Sequence, residues 1–121
     1  MRRKKKGRNT QPEPISPYRE MWLVVFFDLP VATPEQRKEY RRFRERLLRG
    51  GFVQLQYSVY ARPCPSDENA QVHRERVKKH LPPLGSVRML MLTDKQFQRM
   101  ENYQGQNPIP SEKQPEQLTF F

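Results

Sequence analysis

The hydrophobic positions of this chain follow two different periods, which predicts a fold that mixes strands and helices. The most apolar stretch, Met21–Phe27, is rich in aromatic and β-branched residues and ends at Asp28, as expected of a strand. Its side chains would alternate between two apolar sets: Trp22, Val24 and Phe26 on one face, Leu23, Val25 and Phe27 on the other. Because both faces are apolar, both must be covered in the folded protein.

Helical spacing begins after this strand. Thr33-Pro34-Glu35-Gln36 carries the signals of a helix start, namely a capping residue, a proline in the first turn and a capping box. The apolar positions that follow are three to four residues apart, and Gly50 or Gly51 would end the helix. Those positions are Tyr40, Phe43 and Leu47.

Two more helices are predicted by the same signals. Ser66 would cap a helix over Asp67–His80 that stops before Pro82-Pro83. Thr93 and Gln96 open a short third helix. The side chains expected to point inward are Ala70, Val77 and Leu81 in the second helix, and Phe97 and Met100 in the third.

The remaining β-like segments complete the order βαββαβ. Phe52–Ala61 is long for one strand, so we divide it into two near Gln56-Tyr57-Ser58, followed by a loop at Pro63-Cys64-Pro65. Ser86–Leu92 is the last core strand. This order predicts an α+β, ferredoxin-like fold, with two helices on one face of an antiparallel sheet and an extra short helix and strand at the C-terminal end.

The second face of the sheet has no cover in this arrangement, although the first strand places large apolar side chains there. A second copy of the chain is the simplest cover, and it predicts a homodimer. A site shared between two subunits also suits a chain of only 121 residues.

The charge of the chain divides into a terminal block and a body. Residues 2–8 contain six basic residues and no acidic ones. Removing those six from the 23 Lys and Arg leaves 17 against 13 Asp and Glu, a net charge of +4. We therefore predict a basic, disordered N-terminal extension over 1–19, a domain over 20–104, and a C-terminal tail over 105–121.

Several classes of protein are excluded by composition. The longest apolar run is far shorter than the ~18 residues of a membrane span, and no apolar segment follows the basic N-terminus as in a secretory signal. The single cysteine, Cys64, excludes an intramolecular disulfide framework and a cysteine-based zinc cluster. These features predict a cytoplasmic protein.

The first helix carries an excess of positive charge opposite its apolar stripe, which favours contact with nucleic-acid phosphates over a merely solvated face. Its seven basic residues outnumber three acidic ones. The candidates for nucleic-acid binding are Arg37, Lys38, Arg41 and Arg42.

Asp28 stands at the end of a buried strand, where a carboxylate could bind magnesium together with water and phosphate. The alternative is a turn-forming role before Pro30, which the residues alone favour. His73 and His80 have no carboxylate or thiol cluster beside them in the pattern, so we predict surface positions for both.

Three segments resemble one family, the CRISPR-associated protein two family, in the form found beside Cas-nine type loci. Leu23–Pro30 resembles its first strand and signature aspartate. Gly51–Tyr60 resembles its Gly…Gln-x-Ser-Val-aromatic motif, and Leu81–Arg88 resembles the entry to its last core strand.

This resemblance implies a homodimeric adaptor that bridges dimers of the CRISPR integrase and holds protospacer DNA during spacer acquisition. It also implies the alternative of a magnesium-dependent endonuclease, acting on RNA or DNA, including toxin-like endoribonucleases that work without an integrase. Asp28 then becomes the expected metal ligand and catalytic residue. Ser58 matches the motif serine and is a weaker catalytic candidate, the alternative being a structural hydroxyl. In the family a strand near the C-terminus contacts partners, and residues 118–121 could supply it.

Overall fold

The computed structural model describes residues 19–115. It contains six strands and three helices in that part of the chain. In chain order they are β1 (Met21–Asp28), α1 (Pro34–Arg49), β2 (Val53–Gln56), β3 (Val59–Cys64), α2 (Asp67–Lys78), β4 (Ser86–Thr93), α3 (Asp94–Gln98), β5 (Asn102–Gln104) and β6 (Asn107–Ile109).

The main sheet has four strands in the order β2-β3-β1-β4, and every neighbouring pair is antiparallel. The central strand is β1, which pairs with β3 on one side and β4 on the other. Its central position explains why it is apolar on both faces. The order βαββαβ and the antiparallel sheet confirm the α+β, ferredoxin-like prediction.

The helix starts lie where the capping signals predicted them. The Gln36 backbone N–H donates to Thr33 Oγ1 at 3.1 Å, and Gln36 Oε1 accepts from the Thr33 N–H at 3.1 Å. Ser66 caps α2 by accepting from the Asn69 N–H at 3.0 Å. These bonds satisfy backbone donors that the first turn of each helix leaves unpaired.

The core between sheet and helices is built from one face of β1 and the apolar stripes of α1 and α2. Phe27 contacts Phe43 edge-on, with ring centroids 5.1 Å apart, and Tyr60 in a stacked arrangement at 5.6 Å. This cluster also includes Leu23, Val25, Leu47, Ala70 and Val77, all buried.

The opposite face of the sheet is covered only in part by residues 19–115. Phe97 of α3 stacks on Trp22 at a centroid distance of 4.1 Å, and Trp22 Nε1 donates to Asp94 Oδ1 at 2.7 Å. Farther along the face, Phe26 and Leu90 are 36% and 49% exposed. A groove of about 640 Å³ lies between this apolar face and the β5–β6 hairpin.

Three predictions about local structure are wrong. Pro63 and Cys64 belong to β3 rather than to a loop. Pro63 is tolerated there because β2 begins its pairing at Val53 opposite Ala61, so no strand on that side needs a donor from Pro63. The second helix ends at Lys78 rather than His80, and Leu81 therefore leaves the helical stripe and is exposed.

Two single side chains also differ from expectation. His73 is buried, only 7% exposed, because it lies three residues after Ala70 and four before Val77 on the buried stripe of α2. Met100 is exposed rather than inward, because α3 has already ended at Gln98.

Some predictions fall outside the described residues, namely the structure of residues 1–18 and a partner-contacting strand at 118–121. The β5–β6 hairpin spans the position predicted as the boundary between domain and tail. Over residues 19–115, none of the helices has both the length and the apolar character needed to span a membrane.

Candidate metal and nucleic-acid site

Asp28 is the last residue of β1, and it is exposed. The strand is fixed at this end on both sides. On one side Asp28 is in register with Ser86, the first residue of β4. On the other side the Phe27 N–H donates to the Ser58 carbonyl oxygen at 3.0 Å. The fold therefore presents a carboxylate to solvent on a backbone that is held in place.

Gly85 allows the chain to pass close to Asp28. Its φ of +91° is one that residues with a Cβ rarely adopt. A Cβ at this position would lie 2.6 Å from the Asp28 carbonyl oxygen and 2.8 Å from Leu29 Cδ2. Only glycine fits this approach without moving the backbone that carries the carboxylate.

Ser58 lies in the turn between β2 and β3 and is joined to the end of β1 through its main chain. Its hydroxyl is engaged elsewhere, because Ser58 Oγ and the Tyr40 hydroxyl are 3.3 Å apart and share a hydrogen bond. Burial raises the pKa of Tyr40 above its ordinary value of 10, while the bond from Ser58 opposes that shift. Tyr40 is therefore protonated at neutral pH, and its hydroxyl can share this hydrogen bond with Ser58.

Tyr57 is the large aromatic side chain at this end of the sheet. It is 72% exposed, and its ring stacks on Tyr40 with centroids 5.7 Å apart and planes 22° apart. Reasoning from sequence assigned no site role to Tyr40 or Tyr57. Two features of the sequence could have pointed to them: Tyr40 places a hydroxyl group on an otherwise apolar helix stripe, and Tyr57 is an aromatic residue in a turn.

A single chain supplies a sparse donor set for a metal ion. Among residues 19–115 no group of three or more His, Cys, Asp or Glu side chains lies close enough to hold one. Magnesium, however, commonly takes only one or two carboxylates and fills its other positions with water and phosphate oxygens. The exposed carboxylate of Asp28 fits that mode of binding and does not fit a closed structural metal site.

The basic residues predicted on α1 separate into two groups. Arg37 turns back to the β1–α1 loop, where its Nη1 donates to the carbonyl oxygens of Val31 at 3.1 Å and Ala32 at 3.2 Å. The other three lie along one exposed groove of about 440 Å³, whose lining residues are Lys38, Arg41, Arg42, Glu45, Arg46 and Arg49.

Charge along this groove is only partly neutralised. Arg42 pairs with Glu39 at 2.9 Å, and Arg49 lies 3.9 Å from Glu45. The groove therefore keeps a positive excess, to which Arg46 and Arg49 contribute in addition to the predicted residues. Fold and site together define a class of small ferredoxin-like domains with one carboxylate at an exposed strand end and a basic first helix.

Comparison with known proteins identifies the family. The family model described as CRISPR associated protein Cas2 matches residues 21–100, about two thirds of the chain. The chain belongs to this family.

Three relatives share most of their length with it, and each carries the name CRISPR-associated endoribonuclease Cas2. The protein of Flavobacterium psychrophilum is 43% identical over 107 residues, covering 88% of this chain and 93% of the relative. That of Parvibaculum lavamentivorans is 48% identical over 101 residues, 84% and 100% of the two chains. That of Paracidovorax avenae is 40% identical over 107 residues, covering 88% of this chain and 99% of the relative.

Proposed function

We propose that this chain is a metal-dependent endoribonuclease whose metal ligand and catalytic residue is Asp28. The observation that carries the proposal is the exposed carboxylate at the end of β1, held by Ser58 on one side and by the close approach of Gly85 on the other. The names of the relatives support the same activity.

Asp28 would hold magnesium together with water and a phosphate oxygen of the substrate. The bound metal would supply a water that is easier to deprotonate and a positive charge against the phosphate. The protein's own residues position the substrate. The exposed ring of Tyr57, backed by Tyr40, offers a face on which an unpaired base can stack.

The basic groove of α1 would bind the substrate backbone. Lys38, Arg41 and Arg42 are exposed, and phosphate contacts of this kind give affinity without sequence preference. Because Arg37 is engaged with the β1–α1 loop, we expect it to contribute to the shape of that loop more than to binding.

We also propose that the active form is a homodimer. The groove beside Phe26 and Leu90 leaves apolar surface that a second copy would bury. If the two copies of Asp28 approach each other in the dimer, their charges repel, and a divalent cation between them relieves that repulsion. Light scattering should then give about twice the 14.6 kDa of one chain.

The test is the Asp28→Asn variant, which keeps the size of the side chain and removes its charge. Cleavage of an RNA oligonucleotide in magnesium should be lost, and EDTA should abolish cleavage by the unmodified protein. The matched control is Glu68→Gln. Glu68 lies in the first turn of α2, near the end of β1 that is opposite Asp28. Undiminished cleavage by Asp28→Asn would refute the proposal.

A second function is favoured by the basic groove and the apolar sheet face, which do not depend on Asp28. In this reading the dimer is the adaptor of CRISPR spacer acquisition, bridging integrase dimers and holding protospacer DNA. Reversing both Arg41 and Arg42 to Glu should weaken duplex DNA binding across all sequences. If the integrase still inserts spacers when it is combined with Asp28→Asn, the adaptor function is supported. If the complex assembles but insertion is lost, nuclease activity is the primary function.

A further inference from the structure

A second charged region lies away from Asp28, between α1 and α2. It is a cavity of about 140 Å³. Its floor is apolar, formed by Phe43, Leu47, Phe52 and Val77. Around this floor stand four side chains that carry or can carry positive charge: Arg46, His73, Arg76 and His80.

No acidic side chain lines this cavity, among the residues that the structure describes. The nearby carboxylate of Glu75 is turned to other partners, since it lies 3.6 Å from Arg74 and 3.3 Å from Lys78. Arg46 and Arg76 stand near helix C-termini and offset the partial negative charge there.

A third arginine, Arg62 of β3, is not a lining residue but contacts one. Its Nη1 donates to the carbonyl oxygen of Gly50, a lining residue, at 2.8 Å. Its Nε is buried and has no hydrogen-bond partner among the residues that the structure describes. The guanidinium lies so close over Gly51 that a Cβ there would overlap Nη1.

The same positive charge affects the pKa of His73. Burial is the largest cause that lowers this pKa below its ordinary value, and the positive charges of Arg62 and Arg76 lower it further. The exposed basic residues Arg46, Arg76 and His80 line the cavity beside the buried His73, so an anion bound there would offset the positive charge that acts on His73.

We propose that the α1–α2 cavity binds a phosphate group. A phosphate has several acceptor oxygens, which suit the planar donors of Arg46 and Arg76 and the ring nitrogens of the two histidines. The apolar floor would strengthen these charge-assisted bonds by excluding water.

The phosphate could be free or part of a nucleic-acid backbone. Arg46 lines both this cavity and the basic groove of α1, so the two surfaces are continuous. If the cavity binds a backbone phosphate, this proposal rests on the proposed nucleic-acid function, and the cavity extends the binding surface of the groove. If the cavity binds free phosphate, the proposal does not depend on that function.

The two histidines provide a direct probe, because the chain contains no others. Inorganic phosphate should be titrated into the full-length protein at constant pH and ionic strength, with chloride as the comparison, while the imidazole resonances are followed by NMR. Both imidazoles should shift and saturate with phosphate but not with chloride. The absence of a saturable shift, or the same shift with chloride, would overturn the proposal.

Two charge-equivalent variants test the assignment. Arg76→Gln should weaken phosphate binding at least tenfold, because Arg76 lines the cavity. Arg74→Gln, on the same helix, should change it less than twofold, because Arg74 pairs with Glu75 and contacts Met91 instead. Equal effects of the two variants would also overturn the proposal. Far-ultraviolet circular dichroism and melting temperature check that both fold.

A nucleic-acid arm distinguishes the two sources of phosphate. Binding of a single-stranded RNA oligonucleotide should be measured over a range of salt concentrations. If the cavity holds a backbone phosphate, Arg76→Gln lowers the salt slope by about 1, and Arg74→Gln leaves it unchanged. If phosphate binds but the slope is unaffected, the cavity takes free phosphate. Neither result depends on whether Asp28→Asn abolishes cleavage.

Discussion

The close approach of Gly85 to the end of β1 makes Gly85→Ala the sharpest test of how the fold holds Asp28. The added Cβ would lie 2.6 Å from the Asp28 carbonyl oxygen and 3.0 Å from Leu29 Cα, both backbone atoms that cannot rotate away. A positive φ costs an L-residue ~1–2 kcal/mol, and overpacking typically adds ~1–3 kcal/mol. We expect the free energy of unfolding to fall by roughly 2–5 kcal/mol, which combines those two costs.

Gly105→Ala is the matched control for this experiment. Gly105 also has a positive φ, +62°, but an added Cβ there would have no neighbour within 4 Å in the described part of the chain. Only the backbone cost of ~1–2 kcal/mol then applies. Urea denaturation of both variants measures the difference, and RNA cleavage should fall for Gly85→Ala alone. Equal losses of stability in the two variants would refute the idea that contact with Asp28 and Leu29 is what requires glycine.

Three further predictions follow from particular contacts. Phe97→Ala should lower the free energy of unfolding by ~3–5 kcal/mol, because the ring is fully buried and stacks on Trp22. A loss under ~1 kcal/mol in urea denaturation would contradict this prediction. Because the pKa of His73 is lowered in the folded state, its contribution to stability is complete above pH 6.5 and declines as pH falls below that value. His73→Gln should therefore lose less stability than the unmodified protein between pH 7.5 and 5.5. A double-mutant cycle of Ser58→Ala and Tyr40→Phe should give a coupling energy of ~0.5–1.5 kcal/mol, which is the usual net value of one hydrogen bond. A coupling energy near zero would show that the 3.3 Å contact between the two hydroxyls does not stabilise the fold.

The two proposed functions differ in what they would require of Asp28. The nuclease would need the carboxylate at the end of β1 in addition to the basic groove, whereas the adaptor would need the groove and the apolar sheet face without that carboxylate. Asp28→Asn should therefore separate the two functions, and reversing Arg41 and Arg42 to Glu should weaken nucleic-acid binding in both.

Local signals in the sequence were sufficient for most of the fold. The capping residues Thr33, Ser66 and Thr93 act within their own first turns, so their meaning could be read without knowing the tertiary structure. The two-faced apolar pattern of β1 predicted a central, covered strand for the same reason. One error fell where a neighbouring strand decides the outcome, at Pro63, which stays in a strand because β2 pairs only up to the level of Ala61.

The sequence by itself determined the order of elements, the position of Asp28 at a strand end and the basic face of α1, because each follows from spacing along one segment. Tertiary structure alone decided which side chains act together. Arg37 turned back to its own loop, Ser58 joined Tyr40, and Gly85 came to lie against Asp28, although 57 positions separate them. Contacts between distant segments depend on how the strands and helices pack, and no local period records them.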